Sequence, residues 1–254
     1  MARIGTFTGI ALLALLAANA GGQAYPRWCL VDSAQRLGGN ETTDVSLCDV
    51  DGDGDFDAIL ANDGIYPPIQ VLINQGGEQG GTPGVFLDSG QALVTHGTTK
   101  VATGDLDGNG AMDIFVACAA SSPNILWFNS GTGLFYNSGQ ELGSASSADI
   151  ALGDFDADGD LDAFVTNSVS DSDVVWVNQG GLQEGAEGVF VSSGQNLGTG
   201  SSGAVALGDL DGDGSLDAFV VNSVDYRIWL NDGSGAFFLS AQSHPGDFTE
   251  TVAL

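Results

Sequence analysis

The chain has 254 residues, of which 39 are Gly, with 33 Asp or Glu against 5 Lys or Arg and a net charge of -28. So few cations exclude nucleic acid and anionic membrane surfaces as partners, because phosphate recognition is built from Lys and Arg. Hydrophobic residues make up 43% of the chain and charged residues only 15%, so a core can form and the acidity must be concentrated in particular segments.

Residues 1–20 have the layout of a secretory signal peptide: Arg3 in a basic start, an apolar run over residues 10–18, and Ala18-Asn19-Ala20 as a small-x-small cleavage site. That run is shorter than the roughly 20 apolar residues a membrane-spanning helix needs. The mature chain is therefore expected to be secreted or displayed at the cell surface, with no membrane span. Residues 21–26 then form a short linker and residues 27–254 the folded domain. Three Cys are an odd number for an oxidising compartment. Cys29 and Cys48 are candidates for a disulfide, and Cys118, beside Phe115, Val116 and Ala117, for an inert core thiol.

Residues 28–32 form the first strand-like run. An Asp-rich segment follows, Asp49-Val-Asp-Gly-Asp-Gly-Asp-Phe-Asp57, and then a Gly-rich linker over residues 74–86. The second such segment is Asp105-Leu-Asp-Gly-Asn-Gly-Ala-Met-Asp113, after which the linker is short, residues 129–135. The third, Asp154-Phe-Asp-Ala-Asp-Gly-Asp-Leu-Asp162, again precedes a long linker, residues 178–190. Around the fourth, Asp209-Leu-Asp-Gly-Asp-Gly-Ser-Leu-Asp217, the strands are plainest. Residues 205–207 precede it and 217–221 follow; then come 227–230, a turn at 231–235, and 236–240. The four segments start 56, 49 and 55 residues apart, and the differences lie in the linkers. From Leu30, Phe86, Phe135 and Phe190 to the next segment the interval is always 19 residues.

Short runs rich in β-branched and aromatic residues, separated by Gly, Asn, Asp and Ser, are strands. A repeating four-stranded unit of about 50 residues is the signature of a propeller blade, with a linear solenoid as the alternative. The expected fold is all-β: a β-propeller of four-stranded blades, with four full repeats plus partial end strands. Residues 28–32 correspond to the last strand of a preceding blade. Residues 251–254 align with residues 204–207 and so begin a fifth repeat, which points to a piece of a larger propeller.

The Asp-rich segments converge hard oxygen donors on one point. Positions 1, 3, 5 and 9 offer side chains: Asp49, Asp51, Asp53 and Asp57; Asp105, Asp107, Asn109 and Asp113; Asp154, Asp156, Asp158 and Asp162; Asp209, Asp211, Asp213 and Asp217. Position 7, held by Asp55, Ala111, Asp160 and Ser215, offers its backbone carbonyl. Gly at position 6 permits the tight turn, and such a donor set suits calcium better than magnesium, which wants stricter octahedral geometry. An EF-hand would need Glu at position 12, where Leu60, Val116, Val165 and Val220 stand. About four calcium ions are expected, one per loop. Without them each loop holds three or more carboxylates in mutual repulsion, so metal binding and folding should be coupled.

Loops such as Gly208-Asp-Leu-Asp-Gly-Asp-Gly-Ser-Leu-Asp-Ala-Phe-Val220, followed by Trp229-Leu-Asn-Asp-Gly-Ser-Gly-Ala-Phe237, resemble FG-GAP/VCBS repeats, the repeat that also builds the propeller of integrin α subunits. The resemblance extends over residues 27–254. It implies a propeller, commonly seven-bladed, with calcium in the loops between the first two strands of each blade. The literal Phe-Gly and Gly-Ala-Pro signatures are not kept, which points to the VCBS-like branch.

In such a blade the calcium loops and the Gly-rich linkers share one face. The other face is expected from residues 62–68, 118–124, 167–173 and 222–226, with the connections near His96 and His244. These loops differ most between repeats, as expected where function sits on variable loops over a rigid scaffold, and Tyr66 and Tyr226 are candidates for stacking on a ligand. Trp127, Trp176 and Trp229 share one repeat position with Leu72, which favours blade-to-blade packing over a sugar platform. The two His lie in separate connections, and no Gly-x-Ser-x-Gly elbow or phosphate loop occurs. The expected function is non-catalytic binding of an extracellular protein or carbohydrate. The alternatives are a part of a secreted polysaccharide-degrading enzyme and a structural subunit of a surface assembly.

Overall fold

The computed structural model describes residues 8–10, 13–15, 30–63, 69–93, 97–168, 171–183, 185–198 and 200–245. Trp28, Cys29, Tyr66, His96 and residues 251–254, singled out above, lie outside the described residues. Three short strands, β1 (Thr8–Ile10), β2 (Leu13–Leu15) and β3 (Leu30–Asp32), precede the repeats. The first sheet then comprises β4 (Leu37–Cys48), β5 (Asp57–Asp63), β6 (Ile69–Asn74) and β7 (Phe86–Asp88); the second β8 (Thr98–Gly104), β9 (Asp113–Cys118), β10 (Asn124–Asn129) and β11 (Phe135–Leu142). The third is β12 (Ser146–Gly153), β13 (Asp162–Ser168), β14 (Val174–Asn178) and β15 (Phe190–Ser192), and the fourth β16 (Ser202–Gly208), β17 (Asp217–Asn222), β18 (Asp225–Asn231) and β19 (Phe237–Pro245). Each is an antiparallel meander in chain order. β1 adds to β4, and β2 pairs with β3.

These are consecutive blades of a β-propeller. The second strands of blades two and three lie between two neighbouring blades, which is why they are continuous apolar runs: Asp113–Cys118 is buried at every residue. The first strand of all four blades carries the same register shift, at Thr42/Asp44, Thr98/Lys100, Ser147/Asp149 and Ser202/Ala204. Repetition of the shift at one position marks a designed feature that re-aims the strand end.

The core lies between blades. Ile59, Val71, Val116 and Trp127 pack together from blades one and two, Phe115, Leu126, Val165 and Phe190 from two and three, and Phe164, Val175, Val220 and Trp229 from three and four. Edge-on aromatic pairs cross these seams, with ring centroids 5.8 Å apart for Phe115 and Phe190 and 5.5 Å for Phe164 and Phe237. The expectation that the Trp position serves blade packing therefore agrees with the structure for Trp127 and Trp229.

A glutamine clamps each seam. Gln91, Gln140 and Gln195 donate to the carbonyls of Gly133, Gly188 and Gly235 in the next blade (2.6–2.7 Å). Their Oε1 atoms accept from the N–H of Phe135, Phe190 and Phe237. Gln35 does the same to Gly84 and Phe86 of blade one. β3 thus stands before blade one as an outer strand stands before each later blade. Among the described residues Cys48 is a free, buried thiol, and Cys29, its candidate partner, lies outside them. Cys48 sits opposite Asp57 at the seam of blades one and two, where burial pushes it up to about 11.

Candidate metal centres

The first Asp of each loop shapes the turn. Asp49 accepts from the N–H of Gly52 and Gly54 (2.8 and 2.9 Å), and Asp209 from Gly212 and Gly214 (2.7 and 3.1 Å). Asp105 and Asp154 make the same contact to Gly110 and Gly159. These short side chains satisfy N–H groups that a tight turn leaves without partners.

The ninth Asp fixes the loop to the blade. Asp57, Asp113, Asp162 and Asp217 are each at most 1% exposed. One oxygen of each accepts from the second loop residue, Val50, Leu106, Phe155 or Leu210 (2.8–3.1 Å). The other accepts from the N–H of Asn74, Asn129, Asn178 or Asn231 (2.7–2.8 Å). Burial pushes Asp57 and Asp113 up to about 6 and Asp162 up to about 7.

The structure brings the expected donors together. Oxygens of Asp49, Asp51 and Asp53 lie within 4.8 Å of one another, as do those of Asp105, Asp107 and Asp113, of Asp154, Asp156 and Asp162, and of Asp209, Asp211 and Asp217. Asn109 is engaged otherwise: its amide donates to the carbonyl of Asn129 and its Oδ1 accepts from the N–H of Ala111. Asp158 and Asp213 likewise accept from the backbone two residues on. The donor set fits a hard cation, because Asp51 Oδ1, Asp105 Oδ1, Asp156 Oδ1 and both oxygens of Asp160 are buried and accept no hydrogen bond. Desolvation and then the Asp158 charge push Asp160 up to about 7.

Two kinds of residue at these loops were not anticipated from sequence. The first is the Asn that ends each third strand. Beyond its backbone contact, the side-chain amide of Asn129 donates to Val50 O, that of Asn178 to Leu106 O, and that of Asn231 to Phe155 O. Each holds the loop of the preceding blade. The recurrence was visible in sequence, since these Asn stand two residues after the repeated Trp, but not the reach across the seam. The second is Gln79 and Gln183, on short 3-10 turns (Gly77–Gln79 and Gly181–Gln183) of the two long linkers. They donate to Asp51 and Asp156, so the long linkers cover loops one and three.

On the opposite face, Asp173 is 1% exposed and accepts from Asn167 N and Ser202 Oγ, a link between blades three and four. Tyr226, expected to be available for stacking, lies against Phe219 with centroids 5.7 Å apart. Trp176 is only partly buried, at the edge of the seam between blades two and three.

A family model described as FG-GAP-like repeat matches residues 49–116, 105–165 and 154–220. No curated protein matches the chain in sequence. Among solved structures, the chain is similar to a lectin of Agrocybe aegerita that recognises non-reducing terminal N-acetylglucosamine, with a TM-score of 0.52 and 20% identity over 91% of this chain and 59% of the lectin. It is also similar to part of the Photorhabdus luminescens Tc holotoxin pore, with a TM-score of 0.44 and 19% identity over 87% of this chain and 10% of that one. The chain thus spans less than two thirds of either, and the lectin shares its fold.

Proposed function

The chain belongs to the FG-GAP-like repeat family, and we propose that it is a secreted, calcium-stabilised β-propeller acting as a non-catalytic binding module for an extracellular protein or carbohydrate. One observation carries the calcium reading: four loops in register each gather three carboxylates within 4.8 Å, and three of the four hold buried oxygens that accept no hydrogen bond. Carboxylates so placed repel unless a cation joins them. The side chains at positions 1, 3, 5 and 9 would hold the ion; in the second loop Asn109 would turn to it the Oδ1 that accepts from Ala111 N. The ion supplies positive charge that offsets the repulsion and so couples loop order to metal.

Binding is assigned to the face opposite the loops, where the connections vary while the blades repeat. The lectin of the same fold recognises a terminal sugar, which makes carbohydrate the first ligand class to test. His244, expected from sequence in a connection, lies instead in β19, opposite Tyr226; the sequence carries no Gly-x-Ser-x-Gly elbow or phosphate loop, and catalysis is not proposed. Export rests on residues 1–20, which include β1 and β2, and the secreted protein should begin at Gly21 without those two strands.

Thermal melting in millimolar calcium and in chelator tests the metal reading. Calcium should raise the midpoint by several degrees, and identical midpoints would overturn it. A screen of the calcium-loaded protein against glycans and cell-surface extracts tests the binding reading.

A further inference from the structure

The seams between blades repeat closely, and one side chain that departs from the repeat fills a space left open one blade earlier. At the seam of blades three and four, Arg227 lies against Gly198 and Gly200. A Cβ on Gly198 would fall 2.5 Å from Arg227 Nη1, and one on Gly200 3.5 Å from Nη2. The guanidinium is held there by Asp225, 3.5 Å away. Strand register places Arg227 opposite Val220 and Val174 opposite Val165, the same position one blade earlier. With Val in place of Arg, the seam between blades two and three keeps an open cleft of about 350 Å³, within the roughly 300–1,000 Å³ of small-ligand sites. The connection beginning at Gly143 forms one wall; a Cβ there would lie 3.2 Å from Trp176 Cζ2. Trp176 is the one partly exposed member of the three repeated Trp, since Trp127 and Trp229 are 9% and 5% exposed.

We infer that this cleft, lined by Trp176, Asp171, Ser144, Ser172 and Ser192, is a binding subsite for one neutral pyranose unit, an assignment that rests on the binding-module reading above. The lining offers an indole for the apolar face of a sugar ring, three hydroxyls, and the exposed Asp171 carboxylate, which has no partner among the described residues. It contains no Lys or Arg, so an anionic ligand finds no counter-charge. Arg227 shows how the same seam is closed when no ligand is to enter.

The test is NMR titration of the full calcium-loaded chain with methyl glycosides of glucose, galactose, mannose and N-acetylglucosamine, with lysine amide as a cationic control. A saturable shift of the residue 143–145 and 171–172 amides by a glycoside is expected. Val174→Arg should abolish it without lowering the melting temperature, because it installs the side chain that blade four already carries. Arg227→Val should open a second, equivalent site, and Trp176→Ala should weaken the first. Glycoside shifts that persist in Val174→Arg would place sugar binding elsewhere, overturning the cleft but not the binding module. Shifts with lysine amide alone would overturn the sugar assignment. A wild-type chain that binds neither glycans nor surface extracts would overturn the broader reading as well.

Discussion

Asp55 and Gly76 stand so close that a Cβ on Gly76 would fall 2.3 Å from Asp55 Oδ2. The same closeness recurs between Gly180 and Asp160, at 2.6 Å. In both blades the long linker folds back over a loop whose seventh residue is an Asp, and Gln79 or Gln183 completes the cover. Loops two and four have Ala111 and Ser215 at that position and no long linker.

Two classes of metal site follow. Loops one and three bring five carboxylates each and are covered, so they should bind calcium more tightly than loops two and four. Calorimetric titration of the stripped protein should resolve two tight and two weaker ions. Asp55→Ala with Asp160→Ala should merge the classes. Gly76→Ala should weaken loop one alone, because a methyl group has no room beside the carboxylate. Four equivalent sites in the wild type would defeat the argument.

The contact of Asn129 with Val50 carries a second prediction. Asn129→Ala removes side-chain hydrogen bonds to Val50 O and Met112 O and from Gly131 N and Gly133 N, leaving buried backbone groups without partners. The expected cost is about 2–4 kcal/mol in urea unfolding. Its effect on metal should appear in the blade before it: loop one loses calcium affinity, although Asn129 itself follows loop two. A loss confined to loop two would show that the seam contact does not support the preceding loop.

Much of this was legible in sequence, for a physical reason. A propeller repeats one local problem, so Asp49, Asp105, Asp154 and Asp209 state the same turn four times, and recurrence exposes both blade and donor set. What recurrence could not show is direction. Asn129 and Gln91 recur as plainly as the Asp residues, but nothing local says that their side chains cross to a neighbouring blade, because that depends on how blades stack. The turn alone makes position 7 a carbonyl donor; burial of the Asp160 carboxylate oxygens depends on the linker that folds over them. The Cys29–Cys48 pairing rests on number alone; Cys48 faces a seam, and Cys29 lies outside the described residues.

Ala157 offers a third test. It stands where the other loops have Gly52, Gly108 and Gly212, and it shares their left-handed backbone, with φ of 60° against 79°, 72° and 85°. An L side chain in that region costs about 1–2 kcal/mol, against about 0.5–1 kcal/mol of extra chain entropy that Gly loses on folding. Ala157→Gly should therefore stabilise the calcium-loaded protein by about 0.5–1 kcal/mol, or about 2–3 °C. A Cβ at Gly52 or Gly212 would meet nothing within 4 Å, whereas one at Gly108 would run into the Glu187 carboxylate, so the expected gain is assigned to backbone conformation. A lower melting temperature would show that the Ala157 methyl group makes a contact worth more than the strain.

The last prediction concerns pH, and its sign depends on the metal. Burial pushes Asp57 and Asp113 up to about 6, and Asp160 and Asp162 up to about 7, from an ordinary value of 3.8. Between about pH 4 and 7 the metal-free folded chain therefore holds more protons than the unfolded chain. Their stabilising effect is complete below the unfolded value and is lost as the pH rises through 6 to 7. In chelator, then, the melting temperature should fall from about pH 5 to about pH 7.5. Calcium needs the same carboxylates ionised, so its binding releases protons and strengthens as pH rises. In saturating calcium the trend should reverse. Asp113→Asn and Asp162→Asn should flatten the chelator profile, which added salt, acting on the diffuse charge of -28, would not do selectively. Parallel pH profiles with and without calcium would mean that these buried carboxylates do not take part in binding the metal.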